Sequence, residues 1–315
     1  MPERKPTTKG VRAAAERIAG QVTRTPLLPL DWLGRRIWIK AECLQQGGSF
    51  KLRGATNRLV QLSAGERARG VVAFSSGNHA QGVALAALRL GIAATIVMPS
   101  DAPAVKAEAT RAAGAEIVFY DRQRESREEI AARLAGERGA TLVPSFDDVD
   151  VIEGQGSVGI EIAAQLGRPP EKLIVPCGGG GLSAGIALAL PETKVTIVEP
   201  EGWDDMKRSL QLGMIVPVEE PAPPTSCDAL QTKRVSPLTF GALRQAGAAG
   251  VAVSEAEVRE AIRFAFARLR IVAEPGGAVA LAALASGKAG DVPDGSVVVV
   301  SGGNVDPRLY AAIIG

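Results

Sequence analysis

The sequence predicts an α/β protein built on two open, twisted, mostly parallel sheets with helices on both faces, a large lobe carrying a smaller inserted one. Three observations predict it. Short β-branched runs alternate with alanine-rich helical patterns along most of the chain, as βαβ units do. Some runs, such as Val297–Val300, are apolar without interruption, which is what strands buried on both sheet faces require. The chain has 315 residues, beyond the size at which one hydrophobic core stops growing, so two lobes are expected.

The elements follow in order. Residues 55–62 read as a helix behind a lysine flanked by glycines. Strands are predicted at 71–74, 94–98, 116–120 and 141–143, alternating with helices at 79–90, 104–113 and 126–134. A helix at 156–166 opens a second series, with a strand at 173–176, a glycine tract, a helix running through Ala189 and a strand at 195–198. Helices at 255–270 and 277–285 lead to the last strand, 297–300. The first series is assigned to a small lobe, 67–147, and the rest, 1–66 with 148–315, to the large lobe. Residues 217–224 hold four prolines, can continue neither ladder nor helix, and read as an ordered surface connection. No repeat with a period of 20 to 50 residues occurs, which excludes solenoids and propellers.

Composition narrows the function. Lys and Arg total 36 against 34 Asp and Glu, a formal net charge of +2, and the two signs intermix along predicted helices. Nucleic acid is therefore not expected as a partner; the run at 122–129 alternates in sign, as a solvated helix face does. Three cysteines without a C-x-x-C pair fit a reducing cytosol. No stretch approaches the ~20 apolar residues of a membrane span, so a cytoplasmic protein without membrane attachment is expected.

Four motifs could carry chemistry. In Gly47-Gly-Ser-Phe-Lys-Leu-Arg-Gly54 a packed, desolvated Lys51 would have a lowered pKa and a free amine for imine chemistry; taken alone, a solvated lysine at a helix start reads as well. Ser75-Ser-Gly-Asn-His-Ala-Gln-Gly82 follows a strand and opens a helix, whose N-terminal amides suit a carboxylate or phenolate oxygen. It holds His79, the single histidine, which excludes a histidine-built metal site and reads as a structural or pocket-lining group rather than a general base. Gly178-Gly-Gly-Gly-Leu-Ser183, again between strand and helix, leaves amides free to wrap a phosphate. With Glu199 about twenty residues on, that motif alone leaves a nicotinamide enzyme open. Ser301-Gly-Gly-Asn-Val-Asp306 places a neutral hydroxyl at the end of the last strand, where open α/β sheets bind ligands. Together they supply an amine, an oxygen clamp, a phosphate cup and a ring-nitrogen partner for a planar phosphorylated cofactor.

The ordered set Gly48-Ser-Phe-Lys-Leu-Arg-Gly54, Ser75-Ser-Gly-Asn-His79, Gly154-Gln-Gly-Ser157, Gly178-Gly-Gly-Gly-Leu182 and Ser301-Gly-Gly-Asn304 resembles the fold-type II pyridoxal-phosphate enzymes, with their tryptophan synthase beta-like fold. Within them it resembles the branch of serine/threonine dehydratases (threonine ammonia-lyases) and serine racemases. The resemblance runs from Arg24-Thr-Pro-Leu27 to Asn304 and implies a set of roles. Lys51 would be the Schiff-base lysine and the base at Cα. Phe50 would pack beside pyridoxal phosphate, Asn78 would bond its ring hydroxyl, Gly178, Gly179, Gly180 and Gly181 would hold its phosphate, and Ser301 would face its ring nitrogen. Ser75, Asn78 and His79 would receive the substrate carboxylate, and Arg127 matches a family arginine near the substrate entrance, although a solvated helix residue reads equally well.

Ser76 matches the residue that, in racemases, handles protons on the face opposite the lysine; Pro144-Ser-Phe-Asp-Asp148 looks like the dehydratase pattern. Glu199, the Trp203 carbonyl and Asp205 match a Mg²⁺ or Ca²⁺ site of the family, which would take the acid away from the nicotinamide reading; a helix N-cap cluster is the alternative. Glu153 and Glu274-Pro-Gly-Gly277 depart from the family pattern and leave the side-chain preference open. The expected activity is removal of water and then ammonia from a small hydroxyamino acid, L-threonine to 2-oxobutanoate or L-serine to pyruvate, by a homodimer. Serine racemisation and hydroxyaspartate dehydration stay open, as does a non-catalytic small-molecule binding protein, against which Lys51 and Ser301 both argue.

Overall fold

The structure is a computed structural model and describes residues 4–75, 77–102 and 104–315. Among them are ten strands: β1 Leu27–Trp32, β2 Arg35–Ala41, β3 Val71–Phe74, β4 Ala94–Pro99, β5 Glu116–Tyr120, β6 Thr141–Leu142, β7 Lys172–Pro176, β8 Lys194–Pro200, β9 Ala249–Val253 and β10 Val297–Val300. They form a six-stranded sheet in the order β1-β2-β10-β7-β8-β9 and a four-stranded sheet in the order β5-β4-β3-β6. Every pairing is parallel except that of β1 with β2. This is the doubly wound architecture that the alternating pattern predicts.

Strand alternation shows how the sheets are buried. Val297 and Val299 of β10 pack into one cluster with Val11, Ile152 and Ile186, while Val298 and Val300 face the opposite cluster with Ile262 and Ala278. All four are fully buried, so each contributes on the order of 1.5–3 kcal/mol. In the smaller sheet Val71 and Ala73 of β3 face the helix Asn78–Leu90 side, and Val72 faces the cluster of Ala131 and Leu134.

Each sheet has one point where chain order reverses. The run β3, β4, β5 proceeds to one side and β6 returns on the other side of β3; likewise β7, β8, β9 proceed one way and β10 returns on the other side of β7. Ligands of open α/β sheets bind at the carboxyl ends of the strands flanking such a reversal. Here those ends carry Ser75 and Asn78 after β3, Ser145 and Phe146 after β6, Gly178–Gly181 after β7 and Ser301 after β10.

The structure adds elements that periodicity did not announce. β1, β2 and β9 were not expected, and the helix expected at 55–62 spans Lys51–Val60, with Lys51 as its first residue. The pattern at 255–270 divides into the helix Glu255–Phe264 and a wider turn, Ala265–Leu269. β2 was hidden by charge: Arg35, Arg36 and Lys40 interrupt it, and Lys40 is nonetheless fully buried.

Lys40 survives burial in a network. Its Nζ donates to Glu161 Oε2 at 2.6 Å, Gln165 Oε1 at 3.0 Å and the Thr25 carbonyl at 2.9 Å. Arg53, also fully buried, donates to both oxygens of Glu42 (2.7 and 2.8 Å) and of Glu161 (2.7 and 2.9 Å). The network joins β2, the helix Lys51–Val60 and the helix Ser157–Leu166, and so fixes the element that begins with Lys51.

Candidate active site

Between the two strand reversals lies a cleft of about 560 Å³ lined by Lys51, Phe74, Ser75, Asn78, His79 and Arg127 with residues of the 144–147 and 228–234 segments. A smaller cavity adjoins it, lined by Phe50, Lys51, Asn78, Phe146, Gly178–Gly181, Glu274 and Ser301. Lys51, Asn78 and Phe146 belong to both. The structure therefore brings together residues spread over 250 positions of sequence.

Local structure aims each group. An antiparallel bridge joins Ser49 to Gly302 and the Phe50 N–H donates to the Ser301 carbonyl at 3.2 Å, so the lysine loop is stitched to the end of β10. Lys51 Nζ donates to the Ser145 carbonyl at 2.8 Å. Burial pushes its ammonium down to about 8, because the charged form loses water without gaining a carboxylate. A substantial neutral fraction near pH 8 is what a nucleophilic or basic lysine needs.

The glycine tract is a cradle. A Cβ on Gly179 would overlap the Phe146 ring, and one on Gly178 would stand 3.1 Å from Leu230 Cα. Gly180 has φ +84°, the left-handed region that disfavours other residues. The helix Gly181–Ala189 starts here, so its amides and dipole face the space that the glycines leave open. The second helix N-terminus, that of Asn78–Leu90, points into the same cleft with Gly77 as its cap and Ser75 Oγ accepting from the Gly77 N–H at 3.1 Å.

His79 lies at the cleft wall, its Nε2 2.8 Å from the Val143 carbonyl. That carbonyl can only accept, so Nε2 carries the hydrogen. Burial first, then the nearby Lys51 charge, lower its pKa to about 3; the ring is neutral and lines the pocket, as its sequence context suggested. Arg127 begins the helix Arg127–Arg138, stacks 5.4 Å above the Phe74 ring and pairs with Glu128 at 2.8 Å, remaining half exposed at the mouth. Arg234 lines the same mouth and makes no ion pair among the described residues. Ser76 lies outside the described residues.

Glu199, Trp203 and Asp205 sit apart, behind the glycine tract. Glu199 accepts from the Met206 and Lys207 N–H groups at 3.1 and 2.8 Å, so it does cap the helix Asp205–Leu212. Asp205 accepts from the Val235 N–H at 2.9 Å through Oδ2, and its Oδ1 is buried without a partner among the described residues. Burial pushes Asp205 up to about 7 and Glu199 well above its ordinary range. Among the described residues no group of three or more His, Cys, Asp and Glu could hold a metal; a cation here would need other oxygens as well.

Sequence reading missed Arg234, and it marked Glu274 only as a departure from the family pattern, without a place in the site. Glu274 precedes a proline at a helix start, but its side chain makes no capping bond and enters the cleft. Arg234 sits in an aperiodic strap whose path only tertiary structure shows. No helix among the described residues is long and apolar enough to cross a membrane.

The model of the family described as pyridoxal-phosphate dependent enzyme matches residues 18–303. The chain is 45% identical over 309 residues to an L-threo-3-hydroxyaspartate ammonia-lyase of Pseudomonas sp, with 96% of each covered. Maize serine racemase superposes with a TM-score of 0.92 at 34% identity, covering 98% of this chain and 97% of that one. A T.th. threonine deaminase superposes with a TM-score of 0.88 at 44% identity, covering 96% and 99%.

Proposed function

The chain belongs to the pyridoxal-phosphate-dependent enzymes of fold type II, and from that premise we propose that it is an ammonia-lyase that removes water and then ammonia from a small β-hydroxy-α-amino acid, leaving a 2-oxo acid. The observation that carries this reading is a partly buried, readily deprotonated Lys51 between a glycine cradle and a second helix N-terminus. The cradle, which any Cβ at Gly179 would fill, fits a phosphate; Phe50, Phe146 and Ser301 line the cavity beside it. Pyridoxal phosphate, when bound, supplies a carbonyl that condenses with amines and a ring that acidifies the hydrogen on Cα.

In this reading Gly178–Gly181 would hold the phosphate, Asn78 would meet the ring oxygen and Ser301, a neutral hydroxyl, would face the ring nitrogen. The N-terminus of the helix Asn78–Leu90, with Ser75, receives the α-carboxylate. Lys51 Nζ would hold the cofactor and, when free, would take the Cα proton. His79, neutral and tied to Val143, shapes the wall and moves no proton. The test is 2-oxo acid release across a panel of L-serine, L-threonine and L-threo-3-hydroxyaspartate; no product from any of them would end the proposal.

Arg127 and Arg234 at the mouth support a dicarboxylic substrate over threonine or serine, in line with the name of the Pseudomonas relative. A charged hydrogen bond contributes about 1.5–3 kcal/mol. The double change Arg127→Met and Arg234→Met is therefore expected to lower kcat/KM for hydroxyaspartate by roughly 10- to 100-fold, with threonine affected no more than about threefold. Equal losses on both substrates would show that the arginines do not read a second carboxylate. The likeness to maize serine racemase supports racemisation as a second reading, through Ser76; chiral chromatography after incubation with L-serine decides it, D-serine being its required product.

Glu199, the Trp203 carbonyl and Asp205 are proposed to hold Mg²⁺ or Ca²⁺. Neither carboxylate is in an ion pair among the described residues, and Asp205 Oδ1 lacks a partner. Oxygen donors of this kind suit hard cations. Addition of either ion at 100 times its dissociation constant is expected to stabilise the protein by about 2.7 kcal/mol, read as a raised unfolding midpoint, and Asp205→Asn should abolish the response. An unchanged midpoint in wild type would remove the ion from the reading. The three free, buried cysteines support a cytoplasmic home, and the homodimer is proposed with it; light scattering that returned the mass of one chain would overturn the dimer.

A further inference from the structure

Glu274 is the cleft residue to which the reading above gives no task. It stands before the helix Pro275–Ala285 without capping it, and its own N–H donates to the Gly302 carbonyl at 3.0 Å. That bond turns the side chain into the cleft, where Oε1 accepts from Asn78 Nδ2 at 2.5 Å. Gly302 permits the approach: a Cβ there would overlap Glu274 Oε1 and stand 3.0 Å from Asn78 Nδ2. The second carboxyl oxygen, Oε2, is fully buried and has no partner among the described residues.

Asn78 is clamped from its other side as well. Its Oδ1 accepts from Asn304 Nδ2 at 2.8 Å, and the same Nδ2 donates to the Gly47 carbonyl at 2.8 Å. This fixes which end of the Asn78 amide is nitrogen. One of the two Nδ2 hydrogens is committed to Glu274 and one is left, in a residue that lines the small cavity with Lys51 and Ser301.

We propose that Glu274 is a positioning residue that orients the Asn78 amide toward the cofactor's ring oxygen, its protonation state setting how strongly that amide donates and how much electron density the ring keeps. The inference rests on the cofactor reading of this cleft. An ionised carboxylate pulls on one Asn78 hydrogen, weakens donation through the other, and places a negative charge beside the ring. A neutral carboxyl does neither, so the ring withdraws electrons more strongly.

The charges facing Glu274 are few. Lys106, from the helix Ala104–Ala112, favours the ionised form; Asp228, in the turn Asp228–Leu230, opposes it, and the two pair with each other. Cys43 and Cys227, whose thiols burial pushes up to about 12, remain neutral. Burial dominates and raises the carboxyl to about 7, within the working range of an enzyme.

The experiment is a pH titration of the holoenzyme's visible cofactor absorbance. Wild type is expected to show a one-proton change with a midpoint near 7. Glu274→Gln, of the same shape but permanently neutral, should show at every pH the spectrum of wild type at the acid end, and its kcat should lose the corresponding pH dependence with KM changed by no more than about twofold. A wild-type spectrum flat between about pH 5.5 and 8.5, which needs no variant to fold, would overturn the proposal, as would a Gln variant that keeps the wild-type titration. Because the readout is absorbance without substrate, it stands whether or not the ammonia-lyase reading survives.

Discussion

Lys51→Ala is expected to lower kcat/KM by on the order of 10⁴-fold, the upper end of what one positioned acid–base group supplies, and to abolish reduction of the holoenzyme by borohydride. The size follows from the two tasks proposed for one atom: Nζ would anchor the cofactor and take the Cα proton. No other group can replace it. His79 is neutral and held by Val143, and Glu274 faces Asn78 rather than the lysine. Lys51→Arg should be as inactive as the alanine variant, since a guanidinium stays charged at working pH.

The same residue predicts how the unliganded protein responds to pH. Its folded pKa of about 8 lies below the ordinary 10.5, so between those values the unfolded chain binds the extra proton. Stability contributed at this site therefore rises as pH increases from about 8 toward 10.5 and is lowest below 8. Lys51→Ala removes that dependence, and at neutral pH its unfolding midpoint should be no lower than that of wild type. A variant that lost activity together with its fold would point to a structural lysine instead.

Much of this was legible because the site is built at strand ends. Ser75, Asn78, Gly178–Gly181 and Ser301 each follow a short apolar run that announces itself, and a parallel sheet leaves such ends little freedom about where to point. β10 could be read from four valines alone. What stayed hidden depends on pairing across distance. β2 looks like a charged loop until Glu161 and Gln165 arrive from another helix to satisfy Lys40. Glu274 reads only as a departure from a family pattern until Asn78, 196 residues away, offers its amide. Periodicity reports one residue's relation to solvent; it carries no information about which distant partner makes a buried charge tolerable.

Arg53→Ala is expected to destabilise the protein by about 3–5 kcal/mol, the range for removing one member of a buried ion pair, measured as a shift of the denaturant midpoint. Arg53 is fully buried and meets four carboxylate oxygens of Glu42 and Glu161. Without it Glu42, itself fully buried, keeps only its bond from Thr25 Oγ1, while Glu161 falls back on Lys40. Activity should fall with stability, because the helix that Arg53 holds begins at Lys51, two residues earlier.

A cycle separates the charge from the packing. If desolvated Glu42 is what makes the single change costly, Arg53→Met with Glu42→Leu should be less destabilised than the sum of the two single variants by roughly 1–3 kcal/mol. Strict additivity would mean that the two residues stabilise the fold independently. Arg53→Met alone, with an unfolding midpoint equal to that of wild type, would show that β2 and the lysine helix are held by their apolar contacts, Ile37, Ile39 and Leu52 among them, and that the network adds only orientation.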